Sequence, residues 1–494
     1  MAKYVLSVDQ STQGTKALLF NEQGDLIGRA DRAHRQITNE LGWVEHDPEE
    51  IWRNTLNVIR DVTEGSGIDK AELSVMGISN QRETTVCWNR KTGEPVCNAI
   101  VWQCARAAGI CEELAKADGA NRIFSKTGIP LSPYFRAAKL AWLFRNSESK
   151  KMSMQAKHGE ICAGTIDSWL IYKLTGGQRF QTDYSNASRT QLMNLKTLTW
   201  DPELLAFFGI ARQCLPTITD SDGDFGETDL DGWLDHPIPI RGVLGDSHGA
   251  LLGQGCREPG MIKATYGTGS SIMMNIGEKP IWSDQGLVTS LAWKLRGKVS
   301  YVLEGNINYT GAVITWLKDD LKLIVSPGET EALARAAVEG DTTYLVPAFS
   351  GLGAPYWDSR ARACLCGMTR TTGRNEVVRA ALDCIAYQIT DIVEAMRKSA
   401  KLTIGELRAD GGPTRNAYLM ELQSDLLRIP VRVPDQEELS GIGAAYAAGM
   451  AVGLYGEKIF ERLHRSTYEP KMAEEKREAK LAGWHEAVRM VTHA

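Results

Sequence analysis

The 494-residue sequence has no long apolar run and no excess of charge of one sign. No stretch reaches the roughly 18 consecutive apolar residues of a membrane-spanning helix, so membrane insertion is not expected. The opening MAKYVLSVDQ lacks the parts of a secretory signal, which predicts a cytoplasmic protein. The net charge of −5 arises from interspersed acidic and basic residues. This pattern excludes the basic stripe of a nucleic-acid-binding protein.

Cysteine and histidine are present, but not at metal-binding spacings. The ten cysteines include no CxxC pair and the eight histidines form no HExxH, so reduced, buried thiols are predicted instead of disulfides or a metal site. The motifs GxxxxGK[ST] and GxGxxG are also absent, since Gly267-Thr268-Gly269 continues with Ser-Ser-Ile. A P-loop and a dinucleotide-binding fingerprint are therefore not supported. Any phosphate site must use another kind of loop.

The sequence does contain two similar polar hairpins. Strands are predicted at 4–8 and 16–20 around DQSTQGT, and again within 261–275 around YGTGSS. Small residues let backbone N–H groups approach an anion closely, and serine and threonine hydroxyls add donors. The two hairpins suggest a duplicated domain that holds phosphates between its halves. A tight turn alone would explain either hairpin equally well.

Strands alternate with helices in both halves of the chain, which predicts an α/β fold. Asp47 is placed to cap a helix that starts at Pro48. An amphipathic helix is predicted over 376–399 and a helix of small residues over 441–453. The length favours two domains. The charged tail EEKREAKLAGWHEAV predicts a solvated surface helix.

The segment NQRETTVCW follows a buried strand predicted at 75–79. Arg82 and Glu83 therefore fall at a strand end, where α/β proteins bind their ligands. A solvated Arg–Glu pair on a turn is the alternative explanation, and such a pair contributes little to stability.

Segments along nearly the whole chain resemble the FGGY carbohydrate kinases of the actin-like, ribonuclease-H-like ATPase superfamily. The most specific are GISNQRETTVCW and VPAFSGLGAPYWD, to which VDQSTQGTKALLF, GDSHGALLGQ, TYGTG and RADGGPTRN add support. The resemblance implies an α/β fold of two ribonuclease-H-like (actin-like ATPase) domains that flank an interdomain cleft. The expected domains are 1–250, for polyol and phosphate, and 251–494, for nucleotide.

The resemblance also implies a kinase that uses ATP and Mg²⁺ to phosphorylate a terminal hydroxyl of a small polyol. Glycerol is the expected substrate and sn-glycerol 3-phosphate the expected product. A longer polyol or ketose (erythritol, threitol or xylulose) is the alternative within the same class. An actin-like nucleotide-binding protein without transfer activity is the alternative from another class. Relatives form dimers and tetramers, so a homo-oligomer is expected.

The roles of individual residues are implied by the matching positions. Asp246 is the expected catalytic base, although an aspartate there could also cap the next helix. Asp9 is expected to organise Mg²⁺, largely through water. The expected polyol-binding residues are Arg82, Glu83, Trp102, Tyr134, Asp246 and Ser247. The expected nucleotide-binding residues are Thr12, Gln13, Gly14, Lys16, Gly267, Thr268, Gly311, Thr315, Gly411, Gly412 and Asn416.

Several positions depart from the pattern of the glycerol-phosphorylating members. Ser247 stands where glutamine usually follows the catalytic aspartate, and Ser271 where a phenylalanine often packs against the substrate. Arg136 occupies a small-residue position, and Thr315 replaces a glutamine near the nucleotide. A serine in place of an aromatic ring enlarges and wets the pocket, which would suit a longer polyol. The loop DGWLDHP lacks the Gly-Gly-Thr-Arg of relatives regulated by fructose 1,6-bisphosphate, so that regulation is not expected.

Overall fold

The structure, a computed structural model, describes residues 3–145 and 150–492 and consists of two mixed α/β halves. The strands of the first half are β1 (Tyr4–Gln10), β2 (Gly14–Phe20), β3 (Leu26–Ala33), β4 (Ile37–Thr38), β5 (Val44–His46), β6 (Leu73–Asn80), β7 (Val86–Asn89), β8 (Ala99–Ile100), β9 (Ile161–Gly164), β10 (Gln181–Asp183), β11 (Met193–Asn194), β12 (Thr199–Trp200), β13 (Thr217–Thr219), β14 (Glu227–Thr228) and β15 (Ile238–Gly245). Its helices are α1 (Pro48–Gly65), α2 (Ala108–Ala115), α3 (Gly119–Thr127), α4 (Arg136–Arg145), α5 (Lys150–Lys157), α6 (Ile166–Leu174), α7 (Tyr184–Ala187), α8 (Pro202–Phe208) and α9 (Asp246–Gly253).

The second half continues the same alternation of strands and helices. Its strands are β16 (Ile262–Tyr266), β17 (Ser270–Gly277), β18 (Val288–Leu295), β19 (Lys298–Ile307), β20 (Tyr344–Val346), β21 (Cys364–Cys366), β22 (Leu407–Asp410), β23 (Val431–Pro434) and β24 (Arg465–Tyr468). Its helices are α10 (Gly311–Asp319), α11 (Thr330–Ala336), α12 (Arg374–Ala400), α13 (Ala417–Leu427), α14 (Leu439–Ala451) and α15 (Glu474–Arg489).

Each half is built around one large sheet, and the two sheets share a strand pattern. The first has the order β14-β15-β6-β1-β2-β3 and the second β18-β19-β17-β16-β22-β23-β24. β1 pairs antiparallel with β2 and parallel with β6, as β16 pairs antiparallel with β17 and parallel with β22. The predicted α/β fold of two ribonuclease-H-like domains is confirmed. Both polar hairpins lie at the centres of their sheets.

Helix α1 forms where the sequence predicts it. The Asp47 side chain accepts a hydrogen bond from the Glu49 backbone N–H at 2.9 Å, and Pro48 occupies the first helical position. Ile51, Val58 and Ile59 then recur at helical spacing and are fully buried. The cap thus fixes where the chain turns, and the apolar face fixes how the helix lies on the first sheet.

Helix α14 comes from the second half of the chain but packs on the sheet of the first half. The Ser7 hydroxyl in β1 donates to the Gly441 carbonyl at 2.8 Å. A Cβ on Gly77 in β6 would lie 2.5 Å from the Ala444 carbonyl oxygen, so glycine is needed for this close approach. The predicted division at 250/251 separates the two large sheets, but it also separates α14 from the sheet that it covers. That division stays a prediction.

Helix α15 is more buried than the charge of its sequence predicted. Trp484 is fully buried, and its indole N–H donates to Asp391 Oδ2 in α12 at 2.7 Å. The predicted surface helix is present, and only its face formed by Trp484, Ala487 and Val488 is buried. The large apolar ring of Trp484 packs inward while its N–H finds a partner. In the described ranges 3–145 and 150–492, no helix is long and apolar enough to cross a membrane.

Candidate active site

A cavity of about 750 Å³ lies between the two halves. Its walls come from the β1–β2 loop, the end of β6, the start of α9, the β16–β17 loop and the end of β19. Of the expected polyol-binding and nucleotide-binding residues, those that line it are Thr12, Gln13, Arg82, Glu83, Trp102, Tyr134, Asp246, Ser247, Gly267 and Thr268. The structure therefore brings together residues that are far apart in the sequence.

Arg82 and Glu83 follow β6 directly and are not a solvated pair. Both side chains are buried, and Arg82 Nε lies 3.0 Å from Asp246 Oδ1. The Arg82 guanidinium also donates to both carboxylate oxygens of Glu304, at 3.0 and 3.2 Å. Burial alone would lower the pKa of Arg82, but Glu304, Glu83 and Asp246 together raise it above its usual range. Arg82 is thus a fixed cation at the strand end.

Asp246 is the first residue of α9 and reaches into the cleft. Its Oδ1 accepts the backbone N–H of Ser247 at 2.6 Å as well as facing Arg82. About a third of the side chain remains exposed, with a relative accessibility of 34%. A carboxylate held in this way can accept a proton from a hydroxyl bound in the cleft. Gly245, and not Asp246, is the N-cap residue of α9, so the alternative role of Asp246 as a helix cap is not observed.

Two aromatic rings form one wall of the cleft. The rings of Trp102 and Tyr134 are 5.3 Å apart and tilted by 56°. The Trp102 indole N–H donates to Thr12 Oγ1 at 2.9 Å, which ties this wall to the first hairpin loop. On the other side of this wall, Lys139 Nζ donates to the backbone carbonyl of Tyr134 at 2.6 Å. Burial lowers the pKa of Lys139 to about 8. The wall is suited to covering the carbon chain of a small molecule.

Only part of the first hairpin loop lines the cleft. Thr12 and Gln13 line the cleft, whereas Gly14 and Lys16 are not among the described residues that do. A Cβ on Gly14 would lie 2.6 Å from the Arg32 carbonyl oxygen, so this glycine serves the pairing of β2 with β3. Lys16 Nζ forms an ion pair with Glu438 Oε2 at 2.7 Å.

The second hairpin loop is anchored to the start of α10. The Gly311 backbone N–H donates to the Gly267 carbonyl at 2.9 Å, and the Thr310 N–H donates to the Thr268 carbonyl at 2.9 Å. A Cβ on Gly311 would lie 2.8 Å from the Gly267 carbonyl oxygen. Glycine at 311 therefore lets the loop and the helix approach each other next to the cleft.

Asp9 is buried in β1, one residue before the end of that strand and the start of the first hairpin loop. Its Oδ1 has no hydrogen-bond partner among the described residues. Burial raises the pKa of Asp9 to about 6, and the nearby Lys16 ammonium only partly offsets this. A buried carboxylate oxygen without a partner fits the water shell of a hydrated Mg²⁺ ion, since magnesium retains several waters and takes few protein ligands.

A second cavity of about 490 Å³ lies in the second half of the chain. Ile314, Leu382, Ile385 and Leu419 give it an apolar lining, and four expected nucleotide-binding residues join them: Gly311, Thr315, Gly412 and Asn416. Asn416 also caps α13, accepting the Leu419 N–H at 3.0 Å. An apolar pocket with a few polar groups is typical of a site for a heterocyclic ring.

Gly411 faces a neighbouring cavity of about 280 Å³ instead. Its φ of +96° and the 2.0 Å distance from a built Cβ to the Tyr266 carbonyl oxygen both require glycine. This residue shapes the turn that precedes α13 rather than lining the apolar cavity.

Two of the positions that depart from the family pattern lie in different surroundings. Ser271 lines the cleft, where its hydroxyl is 3.4 Å from Glu304 Oε1.

Arg136 is fully buried in α4 and is not among the described residues that line the cleft. Its Nε and Nη2 atoms lack partners within residues 3–145 and 150–492, and burial lowers its pKa. Arg136 therefore does not shape the pocket directly.

The sequence reasoning missed Arg189, Glu304 and Asn306. Asn306 lines the cleft, and Arg189 and Glu304 form buried ion pairs with Glu83 and Arg82. The polar run Glu304-Gly305-Asn306 at the end of the apolar strand β19 was the available signal. An apolar strand followed by polar or charged residues is also the pattern at Arg82 and Glu83.

Comparison with known proteins relates the whole chain to one family. The models of the FGGY family of carbohydrate kinases match the chain in two parts, the N-terminal domain over residues 4–253 and the C-terminal domain over 262–452. The chain is 50% identical over 489 residues to glycerol kinase 1 of Thermotoga maritima, covering 98% of this chain and 99% of that protein. It is 46% identical to glycerol kinase of Carboxydothermus hydrogenoformans, covering 98% and 97% respectively.

Solved structures agree with the sequence comparisons. The crystal structure of Plasmodium falciparum glycerol kinase with ADP superposes with a TM-score of 0.93 at 36% identity, covering 100% of this chain and 99% of that one. A xylulose kinase from Lactobacillus acidophilus superposes with a TM-score of 0.89 at 23% identity, covering 99% and 97%. The second likeness concerns the fold alone.

Proposed function

The chain belongs to the FGGY family of carbohydrate kinases, and on that premise we propose that it transfers the γ-phosphoryl group of ATP to a terminal hydroxyl of glycerol. The product is sn-glycerol 3-phosphate. The observation that carries the proposal is one cleft lined by Arg82, Glu83, Asp246 and the loops of both polar hairpins. Relatives that are about half identical over the full length and named for glycerol support this substrate.

At the polyol end of the cleft, charge and shape complement a small alcohol. Glu83 accepts hydrogen bonds from hydroxyl groups and Arg82 donates to them. Trp102 and Tyr134 cover the carbon chain. As the hydroxyl oxygen attacks the γ-phosphorus, its proton passes to the Asp246 carboxylate, and the bond from the γ-phosphorus to the bridging oxygen breaks to release ADP. General base catalysis of this kind typically contributes about 10²–10⁴-fold in rate.

At the phosphate end, the two hairpin loops face each other across the cleft. Thr12 and Gln13 from one loop and Gly267 and Thr268 from the other hold the terminal phosphates with hydroxyl, amide and backbone donors. Phosphoryl transfer depends mainly on such positioning and on neutralising charge. Mg²⁺ would supply charge neutralisation here, and Asp9 would hold it, largely through water. Closure of the two halves excludes water that would otherwise hydrolyse ATP.

The nucleoside occupies the apolar cavity behind the second hairpin. Ile314, Leu382, Ile385 and Leu419 contact the base, and Gly311, Thr315, Gly412 and Asn416 lie around the base and ribose. Gly411 supports this site by shaping the turn before α13. Gly14 and Lys16 belong to the phosphate end of the cleft, in the first hairpin with Thr12 and Gln13. A homo-oligomer in the cytoplasm stays a prediction from the sequence.

The experiment is ADP release from ATP with glycerol, erythritol, threitol, dihydroxyacetone and xylulose, each with and without Mg²⁺. We expect glycerol to give the largest kcat/KM and chelation of Mg²⁺ to abolish turnover. A preference for a tetritol would move the assignment to a longer polyol. Slow hydrolysis indifferent to every polyol would indicate a nucleotide-binding protein without transfer.

A further inference from the structure

A buried chain of alternating charges runs beside the proposed polyol site. Glu83 Oε1 accepts from Arg189 Nε at 2.6 Å, and Arg189 Nη1 donates to Glu304 Oε2 at 2.6 Å. Glu304 also accepts two hydrogen bonds from Arg82, at 3.0 and 3.2 Å. Asp246 ends the chain, 3.0 Å from Arg82 Nε. The residues proposed to hold and deprotonate the polyol are thus joined through two others.

Glu304 is the centre of this chain, and it comes from the other half of the molecule. It lies in β19 of the second half, whereas Arg82 and Arg189 belong to the first. Its side chain is fully buried. Burial alone would raise the pKa of Glu304, but Arg189 and Arg82 more than offset this and hold the pKa below its usual range. A buried carboxylate with two guanidinium partners is ionised and held in one place.

Glu83 is held in a backbone conformation that it would not adopt alone. Its φ is +60°, in the left-handed region that residues other than glycine seldom occupy. Such a conformation persists where the surrounding contacts over-determine it. The Glu83 side chain forms an ion pair with Arg189 at 2.6 Å, and both side chains are buried, with relative accessibilities of 2% and 1%.

Arg82 keeps donors free for a ligand. A guanidinium has five N–H donors in a fixed fork. Nη1 and Nη2 of Arg82 each donate one N–H to Glu304, and Nε forms an ion pair with Asp246. Within residues 3–145 and 150–492, the second N–H of Nη1 and of Nη2 has no partner, on a side chain that lines the cleft. Because the fork is rigid, the bidentate contact with Glu304 decides where those two donors point.

We propose that Glu304 and Arg189 are positioning residues for the polyol. Neither is among the described residues that line the cleft, so each acts through a neighbour, Glu304 through Arg82 and Arg189 through Glu83. Because Glu304 belongs to the second half, the polyol site is complete only while the two halves meet at this carboxylate. The inference rests on the proposed kinase function, and it adds two residues and a cross-half dependence to it.

The test is Glu304→Gln, which keeps the shape and removes the charge. We expect the KM for glycerol to rise about 10- to 100-fold, the effect of losing charge-assisted hydrogen bonds, while the KM for ATP stays within about twofold. Glycerol affinity measured by calorimetry without nucleotide should fall by the same factor. A role confined to folding would reduce the yield of active protein without this split between the two substrates.

Two further variants keep the inference testable if Glu304→Gln does not fold. Arg189→Lys retains the positive charge but loses the fork that joins Glu83 to Glu304, and it should also raise the KM for glycerol selectively. The matched control is Glu376→Gln. Glu376 is a buried carboxylate that caps α12 by accepting the Gly373 backbone N–H and also accepts the Val338 N–H. It is not among the described residues that line the cleft. Glu376→Gln should lower the melting temperature and leave the KM for glycerol and the KM for ATP unchanged.

Different outcomes bear on the positioning role and on the proposed function. A wild-type chain without polyol-dependent turnover overturns both. A wild-type chain that phosphorylates glycerol, with Glu304→Gln and Arg189→Lys showing unchanged glycerol KM, overturns the positioning role alone. The positioning role is also overturned if both variants raise the KM for ATP and the KM for glycerol equally. A selective loss of glycerol affinity in folded protein supports it.

Discussion

Replacing Asp9 by asparagine should abolish transfer and yet stabilise the fold. Asp9 is buried, one of its oxygens has no partner among the described residues, and its pKa rises from 3.8 to about 6. The folded chain therefore binds the Asp9 proton more tightly than the unfolded chain does. Ionisation of this group destabilises the folded state progressively as the pH rises from about 4 to about 6, and the full cost applies above that range.

The size of the gain follows from the pKa. One pKa unit corresponds to about 1.4 kcal/mol, so ionising Asp9 in the folded chain costs roughly 3 kcal/mol at pH 8. Asparagine has the same shape and cannot ionise. With an unfolding entropy of about 2.1 cal/mol/K per residue, a chain of 494 residues that unfolds as one unit would melt about 3 °C higher.

The assay is thermal unfolding of Asp9→Asn and the wild type at pH 4 and pH 8, without nucleotide or metal. The variant should melt higher at pH 8 and equally at pH 4. The control is Asp25→Asn, an exposed carboxylate whose pKa is lowered by its hydrogen bonds to Arg462 and Asn21, and which should give no gain. If Asp9→Asn is as stable as the wild type at pH 8, or less stable, burial of an ionised Asp9 does not destabilise the folded chain, and the reasoning from its raised pKa is refuted.

Three further substitutions test other parts of the site. Asp246→Asn should lower kcat about 10²- to 10⁴-fold and leave ADP affinity unchanged by calorimetry; unaltered turnover would reject its role as base. Gly411→Ala places a Cβ 2.0 Å from the Tyr266 carbonyl oxygen at a φ of +96°, so the melting temperature and ATP affinity should both fall, and a variant with wild-type values would contradict the tight turn. Asn416→Ala removes the α13 cap on the Leu419 N–H, which should cost about 1 kcal/mol in urea unfolding and raise the KM for ATP but not for glycerol.

Local patterns in the sequence predicted much of the fold. The Asp47–Pro48 start of α1 and the two polar hairpins depend on neighbours within a few residues, and the structure has them where they were expected. The strand end before Arg82 could be found in the same way, because an apolar run followed by charged residues is a local signal.

Contacts between distant segments could not be predicted from local patterns in the sequence. Glu304 and Arg82 are 222 residues apart, and Glu83 and Arg189 are 106 apart, so no local spacing relates them. The ion pair between Lys16 and Glu438 joins residues 422 apart, so local spacing gives no sign of it, and the role of Lys16 as a phosphate ligand stays a prediction. Likewise, the charge of the α15 sequence gave no sign of the buried hydrogen bond from Trp484 to Asp391.

The placement of α14 has a consequence for how the chain is made. The part of the first sheet that α14 covers stays open until residues 439–451 leave the ribosome, although the last strand of that sheet, β15, ends at Gly245. The roughly 190 residues in between take about 10–40 s to synthesise at typical rates. During that interval the nascent first half exposes apolar residues such as Val5, Leu18 and Val75, which are buried in the finished protein. Synthesis should therefore pass through a chaperone-binding stage that ends only near the C-terminus.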